Sequence, residues 1–412
     1  MSQVNITVDY EEVVALLSKE REEAFRYLME KILNAFLLAE SEEQIGAARH
    51  ERTAERSDYR NGTRDRQLVT RIGKITLKVP RHRDVPFVTM VFDNYQRSEA
   101  ALLATMMEMV VQGVSTRKVS NVVKELCGTS FSKSTVSELC KRLDESIARF
   151  RNRPLDVRYP FVITDAKYFK ARENHRIVSK AFMVAMGITE DGRKEIIGFD
   201  TYETESEASW KRFLSSLKDR GLGDISMITS DAHSGLIAAL KGVFPEVAWQ
   251  RCQYHFTRNI LHEAPKKEQE GLRTELREMF ASRTMKAARE RRDEIIRDYM
   301  DVAEKAMELL DEGFEDAMTV MVLPEEMRPP LRTSNHVERE NGELERRSSV
   351  IRIFPNMESI NRLMGAVLME RHDLMSERRA LFSKSRCILA ISQTKPKLIK
   401  IAREQIKLLK AA

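Results

Sequence analysis

Residues 158–252 constrain the fold of this chain more than any other segment, because short apolar runs alternate there with helix-period segments. Five runs have the length and composition of strands, and an amphipathic helical segment precedes each of the last two. The dipeptide Asp191-Gly192 between the second and third runs is a strong hairpin signal. The order β-β-β-α-β-α-β predicts an α/β domain with a mixed five-stranded sheet flanked by helices. The strand runs are 159–164, 181–189, 195–200, 225–229 and 247–252, and the helical segments are 206–218 and 235–243.

Three acidic residues occupy positions where a metal site can form. Asp165 and Asp231 each follow an apolar run, and Glu338 lies in the segment TSNHVER (333–339), at the start of a helical, arginine-rich stretch. Carboxylate oxygens are the ligands that Mg²⁺ prefers. Two such ions about 3.5–4 Å apart can stabilise the attacking and leaving oxygens of a phosphoryl transfer. We interpret the three acids as metal ligands and catalytic residues, although any one of them alone is more often a surface side chain or a helix cap.

The charge distribution favours a polyanionic partner. The chain has 69 Lys and Arg residues against 63 acids, and residues 50–83 contain ten basic residues against four acidic ones. Such a surface suits nucleic acid; the alternative is a solvated charged face. Four scattered cysteines fit no disulfide framework and favour a reducing compartment. The sequence shows neither a membrane-length apolar run nor a signal peptide, so we expect a cytoplasmic protein without a membrane partner.

The first 150 residues divide into three predicted regions. Residues 1–48 have helical periodicity, residues 49–98 form a basic region with a strand or hairpin around Gly73, and residues 99–150 contain capped helices typical of a helix-turn-helix. The recognition helix would begin near Ser132. A three-helix packing domain without a DNA role is the alternative. The side chains expected to contact DNA here are Arg60, Arg64, Arg66, Arg71, Lys133, Ser134, Lys141 and Arg142.

The remainder of the chain divides into four predicted parts. Residues 155–262 form the first part of the catalytic core, and residues 263–330 form an all-helical insertion that prolines end. Residues 331–375 return to the core with the helix that carries Glu338. Residues 376–412 are a basic helical tail that either contacts DNA or only adds solubility.

Several short segments, in this order along the chain, together match one family pattern. They are GVSTR (113–117), Asp165-Ala166, Glu205-Ser206 with Trp210, RGL (220–222), SDAHSGL (230–236), QRCQYH (250–255) with Arg258-Asn259, TSNHVER (333–339) and FPN (354–356). Over about residues 45–375, the chain therefore resembles a Mutator-type transposase of bacterial insertion sequences. Two departures are Ser234, where many relatives have an acid, and the segment SSVI at 348–351, which replaces a more basic one.

The resemblance implies an RNase H-like catalytic domain in which Asp165, Asp231 and Glu338 hold two Mg²⁺ or Mn²⁺ ions. It also implies an N-terminal domain that binds the terminal inverted repeats of a mobile element in double-stranded DNA. The expected activity is metal-dependent strand cleavage and strand transfer into target DNA by a homodimer or higher oligomer. The alternatives are a catalytically silent DNA-binding regulator derived from a transposase, and a nuclease that hydrolyses DNA without joining it.

Other side chains are expected near these acids or on the DNA. We place His233, Cys252, His255 and Asn335 in the active-site neighbourhood, with Asn335, Glu338 and Glu345 on one helical face. Cys252 and His255 supply only half of a zinc site. Trp210 could stack on an extruded base, although its amphipathic surroundings favour core packing. The further arginines expected to contact phosphates are Arg258, Arg339, Arg346 and Arg347.

Overall fold

The computed structural model describes residues 21–48, 51, 53, 56–70, 73–89, 91, 100–127 and 131–411. The chain divides into two compact units, Met1–Arg142 and Leu143–Ala412. The predicted DNA contact Arg71 and the start of the predicted helical region, residues 1–20, lie outside the described residues.

The first unit contains one long helix and a hairpin. Helix α1 covers Arg21–Ile45, and strands β1 (Arg60–Thr70) and β2 (Gly73–His82) pair antiparallel. Alternate residues of the hairpin face α1, because a strand turns successive side chains to opposite sides. The hairpin predicted around Gly73 is therefore confirmed. The cluster between helix and hairpin consists of Leu37, Leu68, Ile75, Leu77 and Val79.

Three short helices follow in the same unit: α2 (Ala100–Val111), α3 (Thr116–Cys127) and α4 (Lys133–Cys140). Ser132 caps α4, and its hydroxyl accepts a 3.0 Å hydrogen bond from the Thr135 amide. The helix predicted to begin near Ser132 is thus present. The shared core is Leu102, Met106, Val119, Val123, Val136 and Leu139.

Helix α5 (Leu143–Arg151) belongs to the second unit, whereas the sequence grouped it with the preceding helices. Ile147 is buried, and Asp144 accepts two hydrogen bonds of 2.6 Å from Arg362. These partners lie more than 200 positions away, so local periodicity could not assign the helix.

The second unit contains a mixed sheet. Its strands are β3 (Phe161–Glu173), β4 (Arg176–Ile188), β5 (Lys194–Tyr202), β6 (Met227–Ser230), β7 (Ala248–Arg251) and β8 (Ile353–Phe354). The first five follow the spatial order β5-β4-β3-β6-β7, and β8 pairs with β3. The prediction of five strands was one too few, because two residues are too short for a recognisable apolar run. β3 and β4 pair antiparallel, whereas β3, β6 and β7 run parallel.

Helices cover both faces of this sheet. On one face α6 (Glu207–Asp219) and α7 (Ser234–Val243) bury Trp210, Phe213 and Leu240 in the main core. Helix α14 (Met357–Ser376) approaches β5 closely at Gly365, where a β-carbon would lie 2.8 Å from the ring of Phe199. The unit is therefore an α/β domain.

Residues 253–331 are helical and pack around their own apolar cluster. Phe256, Leu276, Leu310 and Phe314 are fully buried in it. The insertion predicted for 263–330 is accordingly all-helical, apart from two short 3₁₀ turns, Thr319–Val322 and Glu325–Met327. The helices are α8 (Gln253–Glu263), α9 (Gln269–Phe280), α10 (Met285–Tyr299), α11 (Glu304–Ala317) and α12 (Arg328–Leu331).

Helix α13 (Asn335–Ser348) carries Glu338, and the last helix, α15 (Lys384–Ala411), packs on the edge strand β7. The Gln405 amide pairs with the strand backbone: Oε1 accepts from the Trp249 amide at 3.0 Å, and Nε2 donates to the Trp249 carbonyl at 2.8 Å. Lys241 and Asp316 complete this buried network. The predicted basic tail is therefore an integral helix with one buried face.

Replacing Gln405 with Leu should destabilise the protein by about 2–6 kcal/mol. The substitution leaves the Trp249 amide and carbonyl buried without a partner, at about 1–3 kcal/mol each, whereas Lys241 keeps its 3.3 Å hydrogen bond to the Val247 carbonyl. Urea denaturation measures the change. Gln393→Leu, at an exposed position of the same helix, is the matched control. Equal stability of the two variants would contradict the role of this network.

Candidate active site

Asp165 and Asp231 lie side by side on neighbouring strands: Asp165 is within β3, which continues beyond the predicted strand end, and Asp231 directly follows β6. In the parallel pair of β3 and β6, Ile163 lies opposite Thr229, and each aspartate follows its strand residue by two positions. The first and fourth strands of this domain are therefore neighbours. Burial, followed by the charge of Asp231, raises the pKa of Asp165 from 3.8 to about 7. The charge of Asp231 therefore destabilises the ionised form of Asp165.

Helix α13 brings Glu338 towards these aspartates. Its charge further raises the pKa of Asp165, although less than Asp231 does. Asn341, one turn beyond Glu338, donates a 2.8 Å hydrogen bond from Nδ2 to Asp165 Oδ2. The Oδ1 atom of Asn341 is buried and has no hydrogen-bond partner among the residues that the structure describes. The sequence analysis missed Asn341, which its three-residue spacing from Glu338 could have indicated.

Cys252 and His255 hold the start of α13. The fully buried Cys252 Sγ accepts a 3.3 Å hydrogen bond from the Ser334 amide and lies 3.2 Å from the Ser334 hydroxyl oxygen. The Ser334 hydroxyl also lies 2.8 Å from Glu338 Oε1, and His255 Nε2 lies 3.5 Å from that same oxygen. Donor atoms of Cys252, His255 and Glu338 all fall within 4.8 Å of one another.

Hydrogen bonding within this cluster favours a negative charge on Cys252 and a positive charge on His255. A hydrogen bond to Cys252 raises the pKa of His255 from 6.5 to about 8, against the effect of burial. Burial opposes ionisation of Cys252, but hydrogen bonds from His255 and Ser334 outweigh it and lower the pKa of the thiol. An imidazolium beside Glu338 and Asp165 partly offsets their negative charge.

His233 and Trp210 both lie near Glu205. His233 precedes α7, and its Nδ1 lies 3.7 Å from Glu205 Oε1. Glu205 accepts a 3.2 Å hydrogen bond from Trp210 Nε1, and burial raises the pKa of this carboxyl. Trp210 has no exposed surface and packs edge-on to Phe213. Its ring is part of the core, so the alternative of base stacking does not fit this structure.

The predicted phosphate contacts of α13 differ in exposure. Arg339 is exposed, and Arg346 is exposed but paired with Glu343. Only 4% of the Arg347 side chain is exposed, and Glu370 binds both of its terminal nitrogens, at 2.6 and 3.0 Å. The prediction of a DNA contact at Arg347 is therefore wrong, because its ion pairs join α13 to α14 instead.

Two other residues were predicted to share one face of α13 with Glu338. Asn335 is exposed, and Glu345 Oε2 accepts a 2.8 Å hydrogen bond from Lys167 Nζ of β3. Arg258 on α8 is exposed. Each of these residues belongs to the second unit.

In the first unit, the basic side chains also divide into exposed and engaged groups. Arg64 is exposed on β1, whereas Arg66 is half-buried. Arg60 is half-buried and donates to the Ala47 carbonyl at 3.0 Å, so it supports the fold. Lys141 is exposed and pairs with Glu138 at 2.7 Å. The other predicted DNA contacts on the recognition helix and just after it are also exposed: Lys133, Ser134 and Arg142.

Within the described residues, none of the helices combines the length and the apolar character needed to cross a bilayer.

Sheet and acids together define an α/β protein with a carboxylate-rich site on its central strands β3 and β6. The chain belongs to the Mutator family of transposases, whose family model matches residues 1–377. It is similar to the transposase for insertion sequence element IS256 in transposon Tn4001 of Staphylococcus aureus, with 44% identity over 90% of this chain and 96% of the relative. The transposase for ISRM5 of Rhizobium meliloti is 42% identical over 85% of this chain and 88% of that protein. The transposase for IS1081 of Mycobacterium tuberculosis is 35% identical over 90% of both chains.

Proposed function

We propose that this protein is a DNA transposase that binds terminal inverted repeats and catalyses metal-dependent strand cleavage and strand transfer. Asp165, Asp231 and Glu338 are its catalytic acids, in a domain of the RNase H-like type. The observation that carries the proposal is the alignment of Asp165 with Asp231 on adjacent parallel strands, facing the helix of Glu338. The relatives, each named as an insertion-sequence transposase, support the activity.

The donor set fits Mg²⁺ or Mn²⁺. After burial, the charges of Asp231 and Glu338 raise the pKa of Asp165, so the three carboxylates lie near enough to interact electrostatically. The buried, unpartnered Oδ1 of Asn341 adds a neutral oxygen. We propose two ions held by Asp165, Asp231 and Glu338; when bound, they supply the charge that polarises the phosphate and lowers the pKa of water.

The protein's own side chains orient this site. Asn341 fixes one oxygen of Asp165 through its 2.8 Å hydrogen bond, and the Ser334 hydroxyl fixes Glu338. Such supporting contacts keep the acids in place before substrate arrives. Exposed Arg339 is available to a flanking phosphate.

For the first unit we propose recognition of the inverted repeats. Exposed Arg64 on the hairpin would contact phosphates, and α4 would lie in the major groove as the recognition helix of a helix-turn-helix, with Lys133 and Ser134 at its start. Pairing of two DNA ends calls for a homodimer or higher oligomer, acting in the bacterial cytoplasm.

A strand-transfer assay tests this function. The substrate is DNA that carries the inverted repeats flanking the coding region, with Mg²⁺, Mn²⁺ or EDTA. We expect metal-dependent nicking and joining. Binding without nicking would favour the regulator, and hydrolysis without joining would favour the nuclease.

Replacing Ser334 with Ala should lower the rate of strand cleavage about tenfold, the lower end of the range for lost supporting contacts. The variant loses the hydroxyl that donates to Glu338, while the Ser334 amide still donates to Cys252. We expect a loss of only about 1 kcal/mol in stability. Single-turnover cleavage and thermal denaturation separate the two effects, with the exposed Ser349→Ala as control. Wild-type cleavage would refute a positioning role for Ser334.

A further inference from the structure

An open groove runs between helices α8 and α9, beside the acidic site. It has a volume of about 670 Å³. One wall is a stripe of α8 that includes Tyr254, Thr257, Arg258 and Leu261, and the other wall includes Gln269 and Arg273 of α9. The α8 residues recur at three- and four-residue steps, so they share one helical face. Phe256 and Ile260 bury the opposite face in the core.

The groove presents an exposed aromatic ring next to the site. The Tyr254 side chain is 51% exposed. Its ring centroid lies 5.7 Å from that of His255, whose Nε2 is 3.5 Å from Glu338 Oε1. Large aromatic residues gain by burial, and an exposed ring beside a site is a platform for a flat partner.

Two guanidinium groups in the groove are available to an anion. Within the described residues, neither Arg258 nor Arg273 has a carboxylate within 4.0 Å, whereas Arg289 and Arg291 of α10 are both paired. The residues that line the groove, all within the described segment 253–273, include no acid. Unpaired guanidinium groups bind phosphate with charge-assisted hydrogen bonds.

We propose that this groove binds a DNA strand adjacent to the scissile phosphate, with a base stacked on Tyr254 and phosphates bound by Arg258 and Arg273. The proposal rests on the proposed function, because it assigns the groove to that enzyme's substrate. From Tyr254 to Leu261 the helix rises about 10 Å. Phosphates of one strand are about 3.4 Å apart along a duplex axis. The groove therefore accommodates about three nucleotides, and Tyr254 takes the stacking role that the buried Trp210 cannot.

Photocross-linking of the full chain tests the groove, because it identifies the residues next to the bound DNA. An affinity alone does not do so, since the first unit has basic residues of its own. The probes are a 12-nucleotide oligothymidylate with one 5-iodouracil and an otherwise abasic 12-mer that carries one 5-iodouracil. Mass spectrometry locates the cross-links, and fluorescence anisotropy gives affinities. We expect the oligothymidylate to cross-link within residues 253–273.

The variants separate stacking from phosphate binding. Tyr254→Ala should lower oligothymidylate affinity and cross-linking about tenfold, because stacking on an aromatic ring is lost, and Tyr254→Phe should restore both. The abasic probe should bind Tyr254→Ala as it binds the wild type. The double variant Arg258→Gln/Arg273→Gln should weaken both probes and reduce the slope of log affinity against log salt by about 1.4. Lys305→Gln, an exposed charge removal on α11, is the control.

Three results would overturn the proposal: cross-links only outside residues 253–273, unchanged binding by Tyr254→Ala, or a polyglutamate peptide that competes as well as DNA and binds Tyr254→Ala normally. The last would assign the groove to an acidic protein segment. Asp165→Asn separates this outcome from the proposed function. If its cleavage is lost but no cross-link forms in the groove, only the groove assignment fails. If wild-type protein cross-links there but never cleaves DNA, only the proposed function fails.

Discussion

Asp165→Asn should abolish strand cleavage and yet stabilise the metal-free protein at pH 8. The amide is nearly the same size as the carboxylate but cannot supply a negative charge to a metal, so we expect cleavage to fall about 10³-fold or more, as for loss of a principal catalytic group. Stability should rise by about 2–4 kcal/mol, because the pKa of Asp165 is raised to about 7 by burial and by Asp231.

The raised pKa of Asp165 also determines how the stabilisation by Asp165→Asn changes with pH. A carboxyl with a raised native pKa binds its proton more tightly when folded, so its contribution to stability is fully present below pH 3.8 and is lost as the pH rises through about 7. The stabilisation by Asn should therefore grow between pH 4 and pH 8 in EDTA. Urea denaturation of both proteins at the two pH values measures it. A variant less stable than wild type at pH 8 would show that Asp165 is not electrostatically strained.

Mg²⁺ provides the matching control. It should raise the melting temperature of the wild type more at pH 8 than at pH 5, because a protonated Asp165 binds cations poorly. The Asn variant should respond weakly at both pH values. An identical response of the two proteins would place the cation elsewhere.

Asn341→Leu should lower the rate of strand cleavage about 10–100-fold, the usual cost of losing a contact that orients a metal ligand. Leu is close to Asn in size but cannot donate to Asp165 Oδ2, and it removes the unpartnered Oδ1 from the site. The Mg²⁺ concentration for half-maximal cleavage should also rise. Titration of single-turnover cleavage with Mg²⁺ separates this effect from a general loss of folded protein.

Gly342→Ala is the control for Asn341, because it changes the neighbouring position of the same helix. In the described part of the chain, no atom outside the backbone of α13 lies within 4 Å of a β-carbon placed at Gly342. Ala should therefore stabilise α13 by about 0.5–1 kcal/mol and leave cleavage unchanged. If Asn341→Leu retains wild-type cleavage and Mg²⁺ dependence, Asn341 is only a packing residue.

Local sequence identified the parts of the α/β domain but not their full extent. β3 was predicted at 159–164 but continues to Glu173, paired with β4 along its whole length. Beyond Asp165 the buried residues Phe169 and Ala171 alternate with exposed ones, so no continuous apolar run marks this part of the strand. A search for apolar runs finds only the part of such a strand that is buried on both faces.

The residues of the candidate site were likewise only partly predictable from the sequence. Asp165, Asp231 and Glu338 stood out because each has a distinctive local setting, and strand order brought the aspartates together. Asn341 and the Ser334 contacts of Cys252 did not, because their partners are about 80 to 176 positions away. Arg347 looked like a free cation in an arginine-rich helix, yet Glu343 and Glu370 bind it.

By itself, the sequence determined the order of strands and helices, the acids that follow two apolar runs and the amphipathic surfaces, since each depends on neighbours only a few residues apart. The tertiary structure decided which side chains are buried: Trp210 lies in the core, Gln405 bonds to an edge strand, Arg347 forms ion pairs and Tyr254 is left exposed beside the site. The physical reason is that burial and pairing depend on segments distant in sequence, whose approach is set by the packing of the whole domain.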